Sequence, residues 1–320
     1  FVDSELTQDR EYCYSVTALN ADDLPGQPSE RVCVTPRHYI QLTGRGVTPE
    51  SPSVVNLVFT ARDLDDAAVT DLTAADFALS EDEISLDADQ YFQHLLPREA
   101  LSFRTPVIIA VDGSAAVTAD DLAAVRSTLG DFIDQLFAGG LSDLTVGLMR
   151  FDDSVQVLAP PTADAAILDE ALTQISAGTP SCNLYGAAMA ACDLWEDEYR
   201  SAGITQGHLI LITLSPDTAA LSSLNEAVGA RADRSLFTVG IGPEVEADAL
   251  EVLSSAGARH LESSSELGEA LEEIAGTIIA FPDEVYLLRY ASPKREGRHQ
   301  VNLALVENTN VTASSIFKAS

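Results

Sequence analysis

The spacing of hydrophobic residues changes twice along the chain, near Pro106 and near Pro282. Between these points, short and almost entirely apolar runs alternate with segments whose apolar residues recur every three to four positions. Such runs are typical of strands buried on both faces, and such segments are typical of amphipathic helices. The pattern predicts a mostly parallel sheet covered by helices on both faces, an α/β, Rossmann-like, doubly wound fold.

The individual elements of this region follow from the same pattern. The predicted strands are VIIAV (107–111), LTVGLMRF (144–151), LILITL (209–214) and LFTVGI (236–241). The first predicted helix has the apolar positions Leu122, Val125, Leu129, Phe132, Ile133 and Leu136. The later predicted helices cover about 164–175, 183–200, 218–231, 246–255 and 265–280.

The segments on either side of this region have β patterns. Residues 1–37 contain two short alternating runs separated by a Pro-, Gly- and Asp-rich stretch, and residues 38–104 contain further strand-like runs. After Pro282 the runs VYLLRY, VNLALV and VTASSIF are again strand-like. Because short strands need a partner sheet, we predict that residues 282–320 return to the 38–104 module and form all-β sandwich segments with it.

The four cysteines form two close pairs in sequence. Cys13 and Cys33 lie in two neighbouring strand-like runs, which predicts a cross-strand disulfide and an oxidising compartment. Cys182 and Cys192 flank the start of a predicted helix, and ten residues of helix would separate them by on the order of 12 to 15 Å. We therefore predict no bond between the second pair unless the first helical turn is unwound.

Charge excludes two classes of partner. Eighteen basic and 50 acidic residues give a formal net charge of -32, so nucleic acid and anionic membranes are poor partners. No run of about 18 apolar residues is present, so direct membrane insertion is not expected. The only lysines are Lys294 and Lys318, and an acidic surface with so little lysine suits a saline habitat. A charged extracellular surface without salt adaptation is the alternative interpretation.

The familiar catalytic motifs are missing from the sequence. It contains no phosphate-binding Gly-Lys-Ser/Thr loop, no Gly-x-Gly-x-x-Gly after the first strand of the α/β region, no Gly-x-Ser-x-Gly elbow and no His-Glu-x-x-His helix. The five histidines are scattered without ligand spacing. A hydrolase using Asp112, Ser114 and a nearby histidine is the disfavoured enzymatic alternative, and we predict a protein that is not an enzyme.

The segments VIIAVDGSAAVT, LTVGLMRFDDSVQV, SCNLYGAAMAACDLWED, HLILITLSPDTAA and LFTVGIG resemble, in order, the blocks of a von Willebrand factor type A domain. The resemblance places this domain at 105–281. The run EYCYSVTALNADDLPGQPSERVCVTP resembles the last strands of a fibronectin type III domain, which places the C-terminal part of such a domain at 1–37. The segment VTDLTAADFALSEDE resembles a β module that often precedes type A domains in secreted bacterial proteins.

The type A resemblance implies a metal-ion-dependent adhesion site. Members of the family hold Mg²⁺ or Mn²⁺ with an Asp-x-Ser-x-Ser motif, a Thr in a second loop and an Asp in a Thr-Asp-Gly turn. Asp112 and Ser114 match this pattern, and Asp217 is the nearest carboxylate that could support them. The altered positions are Ala116 in place of Ser, Cys182 in place of Thr, and Leu214 or Ser215, depending on register, in place of Asp.

These alterations predict a degenerate site. Mg²⁺ prefers oxygen ligands, and an alanine, a cysteine and a leucine or serine remove most of them. We therefore expect no cofactor, with Mg²⁺ or Mn²⁺ as the alternative. Asp112, at the end of its strand, would then accept hydrogen bonds from backbone N–H groups at the N-terminus of the following helix, where the helix dipole favours a carboxylate.

The sequence as a whole predicts a non-enzymatic extracellular or cell-surface module for adhesion or protein–protein interaction. Its expected partner is another protein or copies of itself. The alternative function is a structural repeating subunit of an extracellular fibre or sheath that is assembled by strand addition at the amino-terminal β segment.

Overall fold

A twisted, mostly parallel sheet forms the centre of the α/β region. The computed structural model describes residues 11–20, 24–34, 40–114, 117–306 and 308–319. The strands, in chain order, are β1 (Tyr12–Tyr14), β2 (Val32–Val34), β3 (Gln41–Glu50), β4 (Val54–Arg62), β5 (Phe77–Glu81), β6 (Ile84–Leu86), β7 (His94–Leu96), β8 (Ser102–Asp112), β9 (Leu144–Phe151), β10 (Val155–Thr162), β11 (Glu198–Arg200), β12 (Gly203–Thr205), β13 (His208–Thr213), β14 (Ser235–Ile241), β15 (Gly257–Leu261), β16 (Val285–Ala291), β17 (Gly297–Leu305) and β18 (Thr312–Ala319). The helices are α1 (Ala119–Ala138), α2 (Ala165–Thr173), α3 (Leu184–Cys192), α4 (Leu224–Arg231), α5 (Ala247–Leu253) and α6 (Leu267–Glu284).

The central sheet has the order β10-β9-β8-β13-β14-β15, and only the β9–β10 pair along this path is antiparallel. Helices α1, α2 and α6 cover one face, and α3, α4 and α5 cover the other. The residues of β8 from Val107 to Val111 are completely buried because both faces of the strand are covered. The α/β, Rossmann-like prediction is confirmed, and β sheets flank this region.

Side-chain caps fix where helices α1 to α4 begin, and the cap of α2 is Asp164, which accepts from the N–H of Ala166. Thr118 accepts a hydrogen bond from the N–H of Asp121 at the start of α1, and Asn183 accepts one from Gly186 at the start of α3. Ser223 and Glu226 form a reciprocal capping box at the start of α4. This box explains why α4 begins at Leu224 rather than near residue 218 as the periodicity predicts.

Two four-stranded sheets pack face to face as a sandwich. One has the order β3-β4-β16-β7 and the other the order β18-β17-β5-β6. Phe59 and Phe77 contact each other edge to face, and Tyr286 stacks on Phe59, at the centre of the shared core. The chain leaves this sandwich after β7, builds the α/β region, and returns through α6 to β16, which lies between β4 and β7. The α/β region is therefore inserted into the sandwich.

A small hairpin, β11–β12, connects the two parts of the molecule. The periodicity predicts helix up to about residue 200, but α3 ends at Cys192 and residues 198–205 form this hairpin. The hydroxyl oxygen of Tyr199 lies within hydrogen-bond distance of an oxygen on each side of the junction, and its one hydrogen is shared between Gln206 Oε1 at 2.9 Å and Arg45 O at 3.2 Å. Its ring lies so close to Gly46 that a Cβ there would be 2.1 Å from Tyr199 Cε2. The tertiary packing of Tyr199 therefore overrides the local helical pattern.

The predicted disulfide is confirmed, because Cys13 and Cys33 are directly paired in the β1–β2 register and their sulfurs are bonded. Cys182 and Cys192 are both buried and free, as expected for residues at opposite ends of α3. None of the helices in the described ranges is long and apolar enough to cross a membrane.

Candidate functional site

The candidate site lies where β8 and β13 end, at the edge of the sheet where parallel α/β proteins bind their ligands. β8 ends at Asp112, β13 ends at Thr213, and the loop before α3 brings Cys182 against them. Asp112, Ser114, Thr213 and Cys182 are all fully buried. Ala116 lies outside the residues that the structure describes. The structure thus brings together Asp112, Ser114, Cys182 and the 213–215 turn.

Asp112 is surrounded by donors from its own chain. Its Oδ1 accepts from the N–H of Ser114 at 2.8 Å. Its Oδ2 accepts from the N–H of Leu214 at 3.1 Å and from the hydroxyl of Ser215 at 2.5 Å. Thr213 Oγ1 also lies 3.2 Å from Oδ2, but it is only 2.6 Å from the carbonyl oxygen of Ser215, to which its hydrogen is better directed. Both carboxylate oxygens therefore have partners within the protein.

The hydroxyl of Ser114 is part of the same network. Its Oγ lies 3.1 Å from Ser215 Oγ. Because the Ser215 hydrogen is directed to Asp112, Ser114 donates to Ser215, and the three side chains form one chain of hydrogen bonds. The residue at position 215 thus occupies the site with a hydroxyl, while the side chain of Leu214 packs against the core between the sheet and helices α1, α2 and α6.

Cys182 presents a protonated sulfur to the site. Its Sγ lies 3.9 Å from Thr213 Oγ1 and 4.0 Å from the carbonyl oxygen of Ser215. Burial, reinforced by the negative charge of Asp112, raises the pKa of the Cys182 thiol to about 12. The side chain is therefore a neutral thiol at physiological pH and not a thiolate, which is the form that binds metals.

Asp217 holds its own loop together instead of completing the site. Its carboxylate accepts from the N–H of Tyr185 at 3.4 Å and from the N–H of Ala220 at 3.1 Å. Next to it, Thr218 Oγ1 accepts from the N–H of Cys182, and the carbonyl of Cys182 accepts from the N–H groups of Thr218 and Ala219. The polar groups of the 217–220 turn are used to fasten the turn to the start of α3.

A buried ion pair beneath the site was missed by the sequence analysis. Arg150 Nη2 lies 2.7 Å from Asp152 Oδ2, and Arg150 Nε donates to the carbonyl of Ser176 at 2.6 Å. Burial alone would raise the pKa of Asp152, but hydrogen bonds from Ser154 and Thr179 and the charge of Arg150 outweigh it and lower that pKa. The one available signal was an arginine inside an otherwise apolar strand, LTVGLMRF.

Two glycines allow the loops to close over this ion pair. The N–H of Gly178 donates to the carbonyl of Gly113 at 2.7 Å, so the loop after α2 lies directly against the loop that carries Ser114. A Cβ on Gly178 would be 1.7 Å from Arg150 Nη2, and one on Gly113 would be 2.5 Å from Arg150 Nε. Arg150 therefore supports the Asp112 loop from below at van der Waals contact.

The donor set around Asp112 is poor for a cation. Asp112 belongs to no cluster of three His, Cys, Asp or Glu ligand atoms among the described residues. In those residues such a cluster occurs only at Glu11, Cys13 and Cys33, whose two sulfurs are joined in the disulfide. A divalent cation at Asp112 would thus find one carboxylate, hydroxyl groups that already bond one another, and a neutral thiol.

Comparisons with known proteins agree with this arrangement of elements. The family model of the von Willebrand factor type A domain matches residues 107–277. No curated protein matches the chain.

Several solved structures are similar in fold. A von Willebrand factor type A protein from Catenulispora acidiphila has 13% identity and a TM-score of 0.49, with 88% of this chain and 72% of that chain covered. Proximal thread matrix protein 1 from the mussel byssus, in a structure with a zinc-occupied MIDAS motif, has 13% identity and a TM-score of 0.49, with 63% of this chain and 50% of that chain covered. The vWF domain of the type V pili tip protein Mfa5 from Porphyromonas gingivalis has 11% identity and a TM-score of 0.45, with 56% and 96% covered. This chain spans about half the length of the mussel protein, 49% to 51% in its three structures.

Proposed function

Because this chain belongs to the von Willebrand factor type A family, we propose that it is a non-enzymatic extracellular module for adhesion or protein–protein interaction, with a degenerate metal-ion-dependent adhesion site. Domains of this family are mostly interaction modules and commonly bind a metal ion. The catalytic motifs surveyed in the sequence are absent, and the acidic chain is a poor partner for nucleic acid. The Cys13–Cys33 disulfide supports an oxidising, extracellular location.

One observation carries the degenerate part of the proposal. The carboxylate that would bind the cation is saturated by Ser114, Leu214 and Ser215 of the same chain. A cation would have to displace the Ser215 hydroxyl and would gain no second carboxylate, because the family's Asp position is occupied by Leu214 or Ser215. Partners that supply a carboxylate to a bound metal therefore have no metal to contact, and recognition rests on the protein surface itself.

Metal binding should return when the family's ligands are restored. We expect no saturable Mg²⁺ or Mn²⁺ binding by the natural chain at millimolar concentrations in isothermal titration calorimetry. The triple variant A116S/C182T/S215D supplies two hydroxyls and, at the position whose side chain faces Asp112, a second carboxylate, and it should bind both ions because these are the hard oxygen ligands they prefer.

The matched control for this experiment is A116S/C182T/S215N, in which the asparagine at position 215 has nearly the same volume as aspartate and one charge fewer. It should bind at least about tenfold more weakly than the aspartate variant, since the carboxylate supplies the dominant charge. Saturable Mg²⁺ binding by the natural chain would overturn the degenerate site. In parallel, binding to a panel of purified extracellular matrix proteins should be insensitive to EDTA. Binding that EDTA abolishes would also overturn it, and no binding to any of them would count against the adhesion function.

A structural subunit of a fibre or sheath is the second candidate, and the β1–β2 hairpin favours it. Four of its apolar side chains are largely exposed: Val16 by 75%, Val32 by 69%, Leu24 by 61% and Leu19 by 60%. No described residue of 11–34 joins a hydrophobic core cluster. Exposed apolar side chains on a two-stranded hairpin and its connecting segment are suited to contact with another chain.

Self-association tests this second function. We expect sedimentation velocity at high salt to give concentration-dependent oligomers, and the polar substitutions Val16→Asn and Val32→Thr to abolish them. The exposed sandwich substitution Ile316→Thr is the control and should leave the oligomers unchanged, because it removes a comparable apolar side chain elsewhere. Monomers at every concentration, with no filaments in electron micrographs, would exclude the structural role.

A further inference from the structure

A large cavity lies between the sandwich and the α/β region, at the end of the sheet opposite Asp112. Its volume is about 490 Å³. His208 and Ser235, the first residues of β13 and β14, line it from the α/β side, and Arg45 and Arg62 line it from the sandwich. Arg231, the last residue of α4, closes a further side. The volume is within the range of natural small-molecule sites.

The cavity concentrates arginine in a chain that has few basic residues. Three of its lining residues are arginines, Arg45, Arg62 and Arg231, although the chain has 50 acidic residues and only 18 basic ones. Arg62 is neutralised, since it pairs with Glu284 and with Asp66. No ion pair within the described residues involves Arg45 or Arg231, and the remaining acidic residue of the lining is Asp233.

Unpartnered polar atoms converge on the same place. Six buried side-chain nitrogen or oxygen atoms in the described residues have no hydrogen-bond partner. Three of them, the Nε atoms of Arg45 and Arg231 and the Nε2 atom of His208, belong to residues of this cavity. A fourth, Arg234 Nε, belongs to a smaller adjoining cavity of about 260 Å³ that Arg45 also lines. A buried donor without a partner costs about 1 to 3 kcal/mol, so a cluster of them indicates a missing acceptor.

His208 adds a neutral polar group to this cluster. Only 4% of its surface is exposed, and burial, together with the nearby charge of Arg45, lowers its pKa to about 3. The imidazole is therefore uncharged at physiological pH. Its Nδ1 lies 2.9 Å from Ser235 Oγ, and when Ser235 donates to Nδ1 the hydrogen of His208 is on Nε2. In that tautomer Nε2 is a third buried donor of the cavity.

We propose that this cavity binds a small molecule through an oxoanion, a carboxylate or phosphate group held by Arg45, Arg231 and His208. Guanidinium groups bind both anions through paired N–H donors, and neither Arg45 nor Arg231 has an ion-pair partner among the described residues. Phe237 and Phe281 give the cavity apolar walls for the rest of the molecule. The site is independent of the adhesion function and of Asp112. Because its arginines come from both parts of the molecule, the bound anion links the sandwich to the α/β region.

Titration of the whole chain with inorganic phosphate and with citrate, at constant ionic strength set with NaCl, tests the site. We expect one of the two anions to bind with one-to-one stoichiometry and a Kd in the millimolar range or below. Binding of phosphate alone would identify the preferred oxoanion as a phosphate, and binding of citrate alone would identify it as a carboxylate. R231Q should weaken binding at least about tenfold because it removes the charged guanidinium group. The affinity of R231K should lie between those of R231Q and the natural chain, because lysine keeps the charge but not the paired N–H donors.

The control is R298Q, which removes the same charge from an exposed position on β17 of the sandwich. It should bind like the natural chain. R231Q and R231K both place a good helix former at the end of α4, so the circular dichroism spectra of these variants should match that of the natural chain. R45Q is a second, independent substitution on the sandwich side of the cavity. Failure of both anions to bind would overturn the proposal, and so would binding that R231Q and R45Q leave unchanged.

Discussion

The substitution Asp112→Ala is expected to lower the free energy of unfolding by about 3 kcal/mol in the absence of any metal. It removes the acceptor for three buried donors, the N–H groups of Ser114 and Leu214 and the hydroxyl of Ser215. Each donor that stays buried without a partner adds to the loss, and the site is too enclosed for bulk water to replace all of them. Urea unfolding in EDTA, followed by circular dichroism, measures the change.

Asp217→Ala is the matched control for this prediction. Its carboxylate also accepts two backbone hydrogen bonds, but Asp217 is only half-buried, and we expect a loss of about 1 kcal/mol or less because water can reach the same donors. A carboxylate reserved for a cation would give a different result: Asp112→Ala would leave the stability in EDTA unchanged and would act only when metal is added. That result would contradict the structural role of Asp112.

The substitution Arg150→Met is expected to have a still larger effect, a loss of about 3 to 5 kcal/mol of unfolding free energy. It keeps most of the apolar stem but leaves the buried charge of Asp152 uncompensated and the carbonyl of Ser176 without its donor. Arg104→Met breaks the exposed pair with Asp143 and should cost about 1 kcal/mol or less, because exposed ion pairs are screened by water. Equal losses in the two variants, measured by urea unfolding, would contradict the prediction.

The same ion pair gives a pH dependence with a definite sign. The folded state lowers the pKa of Asp152 below its ordinary value. The contribution of Asp152 to stability is therefore fully present above its unfolded pKa of about 3.9 and is lost as the pH falls through the lower folded value. Arg150→Met removes one cause of that shift, so the natural chain should lose more stability than the variant when the pH is lowered from 5 towards 2.

The sequence predicts the regular elements well where burial decides them. VIIAV, LTVGLMRF, LILITL and LFTVGI are almost entirely apolar, and each forms a central strand of the parallel sheet. The prediction fails where a tertiary contact competes with local periodicity. Residues 193–200 continue an apparent helical pattern, but Tyr199 is anchored to Arg45, 154 residues away in the sequence, and no local pattern contains that partner.

In the candidate site, too, the sequence predicts contacts between residues that are close in the chain and does not predict contacts that depend on the tertiary fold. Asp112 and Ser114 are two residues apart at the end of an apolar strand, so their proximity is visible in the sequence. The hydroxyl of Ser215, 103 residues away from Asp112, reaches the carboxylate only because β8 and β13 are parallel neighbours in a definite register. That register also decides that Leu214 contributes its N–H while its side chain packs against the core. The role of Arg150 could not be predicted from the sequence, because it depends on contacts with Ser176 and Gly113 in two other loops.

The insertion of the α/β region into the sandwich also sets the path of a pulling force. Tension that enters at Ile40 and leaves at Ala319 acts first on β3 and β18, and both of these strands belong to the sandwich. The α/β region is connected to the sandwich at both of its ends, through β7–β8 and through α6–β16. Because β7 and β16 are hydrogen-bonded to each other in the same sheet, the force passes between them within the sandwich and does not stretch the α/β region while the sandwich stays folded. Under mechanical stress the α/β region would keep its shape until the sheets of the sandwich separate.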